Sequence, residues 1–282
     1  MHWLFFAAIS IFFLSIANVL QRVLMKEDKS DPTAYSIVFG FLLTAIIGSI
    51  SLIKGFQMPP ITQYPLQFLL VGVLYGFGTV FVFKALKHIG ASEVTIIGAS
   101  RSLVTILFSI MLLHEAYNVQ KWIGAFLIIA AVILVADTRK GFKLHKGVGF
   151  ALLYALFYGL AVVNDTFLLR HSELLSYVTA SSIIPPLLIL LVYPKSVFAM
   201  KQFLDLKLFM KIFVMSLFYS IAAIAFFTAI SIGAGASQMG PANQASVVLT
   251  VIFAALFLKE RKNLPLKLVA AVLVSIGVVL LR

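Results

Sequence analysis

Residues 91–118 read ASEVTIIGASRSLVTILFSIMLLHEAYN, and residues 236–263 read ASQMGPANQASVVLTVIFAALFLKERKN. Shifting the numbering by 145 lays one on the other without a gap. Ala91/Ala236, Ser92/Ser237, Thr105/Thr250, Phe108/Phe253, Leu113/Leu258, Glu115/Glu260 and Asn118/Asn263 then coincide, as does Ala125/Ala270 just beyond. In each copy an apolar run long enough to cross a bilayer, about 20 residues, ends on an acid and is followed by another such run. An offset of 144 carries the match upstream through Tyr75/Tyr219, Phe83/Phe227 and Ala85/Ala229. The chain is therefore read as a duplication, with one repeat over 1–139, a second over 146–282 and a short linker around 138–145.

Composition agrees with a lipid solvent. Of 282 residues, 62% are apolar and 11% charged, against roughly 45–50% and roughly 25% in soluble domains. The mean hydropathy is +1.08. Apolar runs fall at about 2–24, 33–53, 66–86, 91–113, 119–136, 147–169, 175–193, 208–230, 236–258 and 264–281, which predicts an all-α membrane protein of ten spans with short connectors. The first run is read as a retained helix, because no Lys or Arg precedes Arg22 to make the basic start of a secretory signal. With Arg101 set aside inside a span, seventeen Lys and Arg fall on one side and four on the other. The basic side is cytoplasmic by the positive-inside rule, so both termini are expected outside a multi-pass protein of the inner (plasma) membrane. Five spans per repeat make the second copy enter from the opposite face, the inverted-repeat plan of alternating-access transporters.

The duplicated five-span unit, the Ala91-Ser92 and Ala236-Ser237 starts of the fourth span in each half, and the span-end acids Glu115 and Glu260 resemble the drug/metabolite transporter superfamily, in particular proteins with two EamA domains. That resemblance covers essentially the whole chain. It implies a secondary transporter or exporter of small metabolites, with a central cavity lined by the first, third and fourth helices of each half. Phe12-Phe13 and Tyr158-Gly159 stand where that family carries a Trp-Gly pair.

Candidate substrate-binding residues are the polar groups set deep in spans. Arg101 lies about ten residues into its span, where a charge costs at least about 2.5–3.5 kcal/mol without water or a partner. It is read either as the anchor of a substrate carboxylate or phosphate, through its planar fork of donors, or as a structural partner of Asp165. Asp165, beside Asn164, binds a cation, an amine or a proton, or else stays solvated near the outer interface. Span nine carries Gln238, Gly240-Pro241, Asn243 and Gln244, matched in span four by Gly98 to Arg101 with Ser100 as its hydroxyl. Both stretches are expected to line the cavity, with close helix packing as the alternative. Tyr75 and Tyr219 correspond between repeats, Tyr154 and Tyr158 share a helix face, and Asn18 sits near the place of Asn164. Glu93, Lys84, Lys87 and Arg22 are expected at the cytoplasmic ends of their spans, as a solvated rim or, alternatively, as a gate of ion pairs. Glu115 and Glu260 are expected to be structural, and Pro185-Pro186 to kink span seven.

Absences narrow the chemistry further. The chain has no cysteine, and its histidines sit at span ends with no metal-ligand spacing. It carries no glycine-rich phosphate loop and no nucleophile motif. No cofactor, metal or nucleic acid is implied. The partners are the lipid bilayer and a small-molecule substrate, with protons as the candidate coupling ion. The expected activity is secondary transport of a small polar or zwitterionic metabolite, an amino acid or related compound, outward across the cytoplasmic membrane by alternating access. A flippase for a phosphate-bearing lipid-linked substrate, gripped by Arg101, is the alternative.

Overall fold

In the computed structural model the described residues are 3–26, 30–113, 119–135, 146–169, 171–232, 243 and 245–280, and every regular element among them is helical. In chain order these are α1 (Trp3–Met25), α2 (Pro32–Ile53), α3 (Pro65–His88), α4 (Ala91–Gly98), α5 (Arg101–Leu113), α6 (Val119–Val135), α7 (Lys146–Leu168), α8 (Leu174–Val192), the short α9 (Ser196–Met200), α10 (Leu206–Ser231), α11 (Ala245–Phe257) and α12 (Leu264–Leu280). A 3₁₀ turn, Lys201–Leu204, follows α9. Six of these helices, α1, α2, α3, α7, α8 and α10, hold stretches long and apolar enough to cross a bilayer. The chain is an all-α, multi-span membrane protein.

Local chemistry sets the boundaries. Asp31 accepts a hydrogen bond from the Ala34 N–H at 2.8 Å, and Pro32 occupies the first turn of α2, where its missing N–H costs nothing. Pro65 does the same for α3. Glu173 accepts from the N–H groups of Leu175 and Ser176 at the start of α8. After α11 the chain turns through two left-handed residues, Lys259 (φ 59°) and Asn263 (φ 54°), before Pro265 restarts it in α12.

Span four is interrupted, which the sequence reading did not foresee. The run at 91–113 forms α4 and α5 with a 3₁₀-like joint at Ala99 and Ser100, where Ser100 N–H, Ser102 N–H and Leu103 N–H each bond three residues back. The Ser100 hydroxyl also donates to the Ile97 carbonyl at 2.7 Å, the local competition with the helix ladder that serine offers. Arg101 therefore opens a helix instead of standing in the middle of one.

Large apolar side chains cover the outside, and the apolar core between the helices holds scattered polar groups. Phe5, Trp122, Phe126, Leu191 and Phe257 are exposed, whereas Ser10, Ser15, Gln21, Ser92, Ser216 and Thr250 are buried. That distribution suits a surface wetted by lipid. Helices of the first half pack mainly on helices of the second: α3 lies along α7 and α1 along α10, α2 faces α8, α6 pairs with α12, α5 lies on α7 and α11 on α1. At the α2–α8 crossing a Cβ on Gly40 would stand 2.8 Å from Pro186 Cγ, so only glycine lets the proline pair seat there. Pro185 and Pro186 are buried within one continuous α8.

Candidate functional site

A cavity of about 190 Å³ opens among α2, α3, α7, α8 and α10. Along α2 its wall runs from Ser36 to Ile47, about 16 Å at 1.5 Å per residue. The single charged group among its described lining residues is Asp165 of α7. The Tyr75 hydroxyl from α3 donates to Asp165 Oδ2, and the Tyr177 hydroxyl from α8 donates to Oδ1 at 2.5 Å. Both oxygens accept, which is the arrangement of an ionised carboxylate. Tyr158, one turn past Tyr154 on α7, shares a hydrogen bond with Thr79 at 2.9 Å and meets the Tyr75 ring edge to face at 5.0 Å. Tyr219 of α10 closes the same wall.

Most of the hydroxyl protons on this cavity are already committed within the protein. Ser36 donates its hydroxyl proton to the Thr33 carbonyl, and Ser181 and Ser182 both donate to that of Val178. Tyr75 and Tyr177 spend theirs on Asp165. Proline brings no N–H, so Pro185 and Pro186 leave the carbonyls of Ser181 and Ser182 without their helical donors. Among the described residues no Lys, Arg, His, Asn or Gln lines the cavity.

Arg101 stands behind the cavity's tyrosines, its charge acting on Tyr154, Tyr219, Tyr158 and Tyr75. Its Nη1 donates to the Tyr154 hydroxyl at 3.1 Å. Tyr154 lies eleven residues before Asp165 on the same helix, about 16 Å along its axis. No ion pair joins Arg101 to Asp165 among the described residues: the carboxylate is held by tyrosines and the guanidinium reaches a third one. The small residues beside Arg101 bring helices together. A Cβ on Gly98 would stand 2.5 Å from Tyr154 Cε1, and one on Gly159 would stand 2.7 Å from both the Arg101 carbonyl and Val104 Cβ. Thr105 Oγ1 seals the contact by donating to the Gly159 carbonyl at 3.0 Å.

Of the residues singled out in the sequence, Asp165, Tyr75, Tyr158 and Tyr219 come together on the cavity, while Arg101 and Ser100 lie outside its lining. The two asparagines hold helices instead. Asn18 Nδ2 donates to Thr250 Oγ1 at 3.3 Å, tying α1 to α11, and Asn164 Nδ2 donates to the Gln67 carbonyl at 2.9 Å, tying α7 to α3. Asn243 is away from the cavity, with its Oδ1 buried and without a hydrogen-bond partner among the described residues. Gln244, Gln238, Gly240-Pro241 and Glu115 lie outside the described residues. Tyr177, Ser181 and Ser182 went unread although α8 carried a signal: hydroxyls at i, i+4 and i+5 followed by two prolines put polar side chains and donor-less carbonyls on adjoining turns.

The model of the EamA-like transporter family matches residues 1–136 and again 145–282. The chain belongs to this family. EamA proteins are membrane transporters of small molecules, not enzymes. No curated protein matches the chain. A solved structure titled only "Crystal structure of protein" shares the fold, with a TM-score of 0.64 and 17% identity over 98% of this chain and 94% of that one.

At one end of this EamA transporter, away from Asp165, the rim is a set of part-buried ion pairs in place of solvated charges. Arg22 Nε meets Glu260 Oε1 at 3.4 Å, and the same guanidinium donates to the Leu86 carbonyl. Lys267 Nζ meets Glu93 Oε1 at 3.0 Å, while Glu93 Oε2 accepts from the Gly90 N–H at 2.8 Å. Each pair joins one EamA match to the other. Glu260 rests on Gly90 so closely that a Cβ there would stand 2.4 Å from Oε2. Desolvated charges of opposite sign at hydrogen-bonding distance resist separation far better than surface pairs, because parting them strands a charge.

Proposed function

We propose that the chain is a secondary transporter that moves a small, polar, amine-bearing metabolite out of the cell by alternating access, with the cavity around Asp165 as its binding site. The observation that carries this is the position of one carboxylate, held by Tyr75 and Tyr177, on a cavity to which both EamA matches contribute walls. The architecture we infer is ten spans in two inverted five-helix repeats. Its support is the exchange symmetry of the packing: α3 on α7 is answered by α1 on α10, and α5 on α7 by α11 on α1. Two such halves can rock about a shared site and expose it to either face by the same motion. The ion pairs Arg22–Glu260 and Glu93–Lys267 then close the end carrying most of the lysines and arginines, the cytoplasmic end if both termini face out.

Of the amino acids and related compounds expected from the sequence, the amines without a free carboxylate suit this scheme, presenting their ammonium group to Asp165. The flippase alternative loses its support, because the group expected to grip phosphate, Arg101, is turned to Tyr154 outside the cavity.

Purified protein in proteoliposomes loaded with amines, amino acids, sugars and sugar phosphates should exchange an amine-bearing solute saturably, and Asp165→Asn should stop it. Saturable movement that is indifferent to Asp165→Asn would remove this cavity as the site. Orientation is checked with cysteines introduced at Met58 and at Leu204, both strongly exposed, in a chain that has no cysteine of its own. Labelling of Met58→Cys from outside and Leu204→Cys from inside is the expected outcome.

A further inference from the structure

We propose, resting on the transport site just described, that the cavity is selective for a small organic cation, a protonated amine or quaternary ammonium, and rejects zwitterions and anions of the same shape. Four features of the site converge on this. Its one charge is negative and has no cation partner among the described residues. An ionised carboxylate facing a largely apolar space is costly until a positive charge joins it.

Second, five hydroxyl protons of the lining are committed to Asp165, Thr33 and Val178, which leaves among the described residues only that of Tyr219 and one from the Thr79–Tyr158 pair to serve an anion. A substrate carboxylate needs more donors than these, and the nearest guanidinium, Arg101, stands behind the tyrosines, outside the lining and bonded to Tyr154. Third, the proline pair adds two peptide carbonyls without helical donors on the wall formed by Ser181 and Ser182. Carbonyl oxygens of this kind attract positive charge. Fourth, Tyr75, Tyr158, Tyr177 and Tyr219 bring aromatic rings to the same wall, and their faces attract ammonium groups, most strongly when dry.

Size separates an organic cation from an inorganic one. About 190 Å³ exceeds the roughly 30 Å³ share of one water and falls below the roughly 300 Å³ at which drug-sized pockets begin. A head group with several methyls fits, whereas a bare sodium or potassium ion would leave most of the cavity unfilled. A proton competes for the same carboxylate. The titratable groups facing it are Tyr75 from α3, Tyr177 from α8, Tyr158 from its own helix and Tyr219 from α10, with no titratable side chain on the α2 wall. All of these are phenols, neutral at physiological pH, so the charge that responds to acid in this range is that of Asp165.

Equilibrium binding to the detergent-purified full chain tests this with methylammonium, tetramethylammonium and choline as cations. The comparison ligands are 3,3-dimethylbutan-1-ol, the uncharged shape-mate of choline, its zwitterionic relative betaine, and sodium and potassium ions. At least one ammonium probe should bind saturably and lose about tenfold in affinity by one pH unit below the midpoint at which the carboxylate takes up its proton. The neutral and zwitterionic ligands should bind at least about tenfold more weakly. Asp165→Asn should remove binding while Tyr177→Phe, which keeps the charge, retains it in part; the pH series on the wild type needs no variant to fold. Equal binding of betaine or of the neutral alcohol, ammonium binding unaffected by both acid and Asp165→Asn, or binding of sodium or potassium alone would overturn the inference. Ammonium binding without movement across proteoliposomes would instead count against the transport reading and leave the selectivity standing, and Asp165-dependent movement of betaine would do the reverse.

Discussion

The cavity and the ion-paired end are both polar regions buried between the same two halves, and they treat charge in opposite ways. At the end, Arg22 is matched by Glu260 and Lys267 by Glu93, so the protein satisfies its charges from within. In the cavity, Asp165 receives two hydroxyls and no cation. The difference teaches which buried charges are architecture. A charge answered by the opposite charge holds elements together, and one answered only by dipoles leaves a demand for a ligand to meet.

The sharpest way to break that contrast is to strip one partner at the paired end. Glu260→Gln strands Arg22, and should cost about 3 kcal/mol of stability, read as a fall in thermal unfolding temperature in detergent; an unchanged temperature would show the pair to be idle. Tyr154→Phe should follow, because it takes from Arg101 its hydroxyl partner and a hydrogen bond to a charged group is worth about 1.5–3 kcal/mol. Asp165→Asn should cost next to nothing and can raise the unfolding temperature, since it removes an unmatched buried charge while the amide keeps one acceptor for the two tyrosines. A loss as large as that of Glu260→Gln would place Asp165 with the architecture.

The smallest effect belongs to Glu173, an exposed cap at the start of α8. Slight burial raises its carboxyl, but the Ser176 hydroxyl, the N–H groups of Ser176 and Leu175, and Lys54 outweigh that and hold it below the usual carboxylate range. Its contribution is therefore present at and above the unfolded carboxyl's range and is lost as pH falls through the lower folded value. Glu173→Gln should flatten a slight acid-side decline in unfolding temperature and change nothing near neutrality.

Much of this organisation was legible in the chain. Run lengths and their apolar character located the helices, because in lipid every backbone group must be satisfied within its own segment and hydropathy alone marks the span. Asp165 and three tyrosines were found because a polar group at depth in an apolar run is costly unless it has a use. For Arg101 the same rule left an anchor and a structural role both open, since depth along a sequence does not tell which neighbour a side chain meets, and the meeting with Tyr154 depends on the joint at Ala99 and Ser100. Asn18 and Asn164 look like site residues for the same reason and are ties between helices. Tyr177 escaped notice because it lies near a helix start, where an aromatic with a hydroxyl is ordinary at a membrane interface.

The pairing of α6 with α12 stands apart from the cavity, to which neither contributes a residue. Their seam is built of Ile128, Ala131, Ala270, Ala271 and Val274, and a Cβ on Gly277 would stand 2.9 Å from the Gly124 carbonyl. Two rods whose backbones already touch cannot approach further, and parting them would open a void in a dry core. Such a joint clasps one helix of the first EamA match to one of the second along a seam that shares no described residue with the cavity lining.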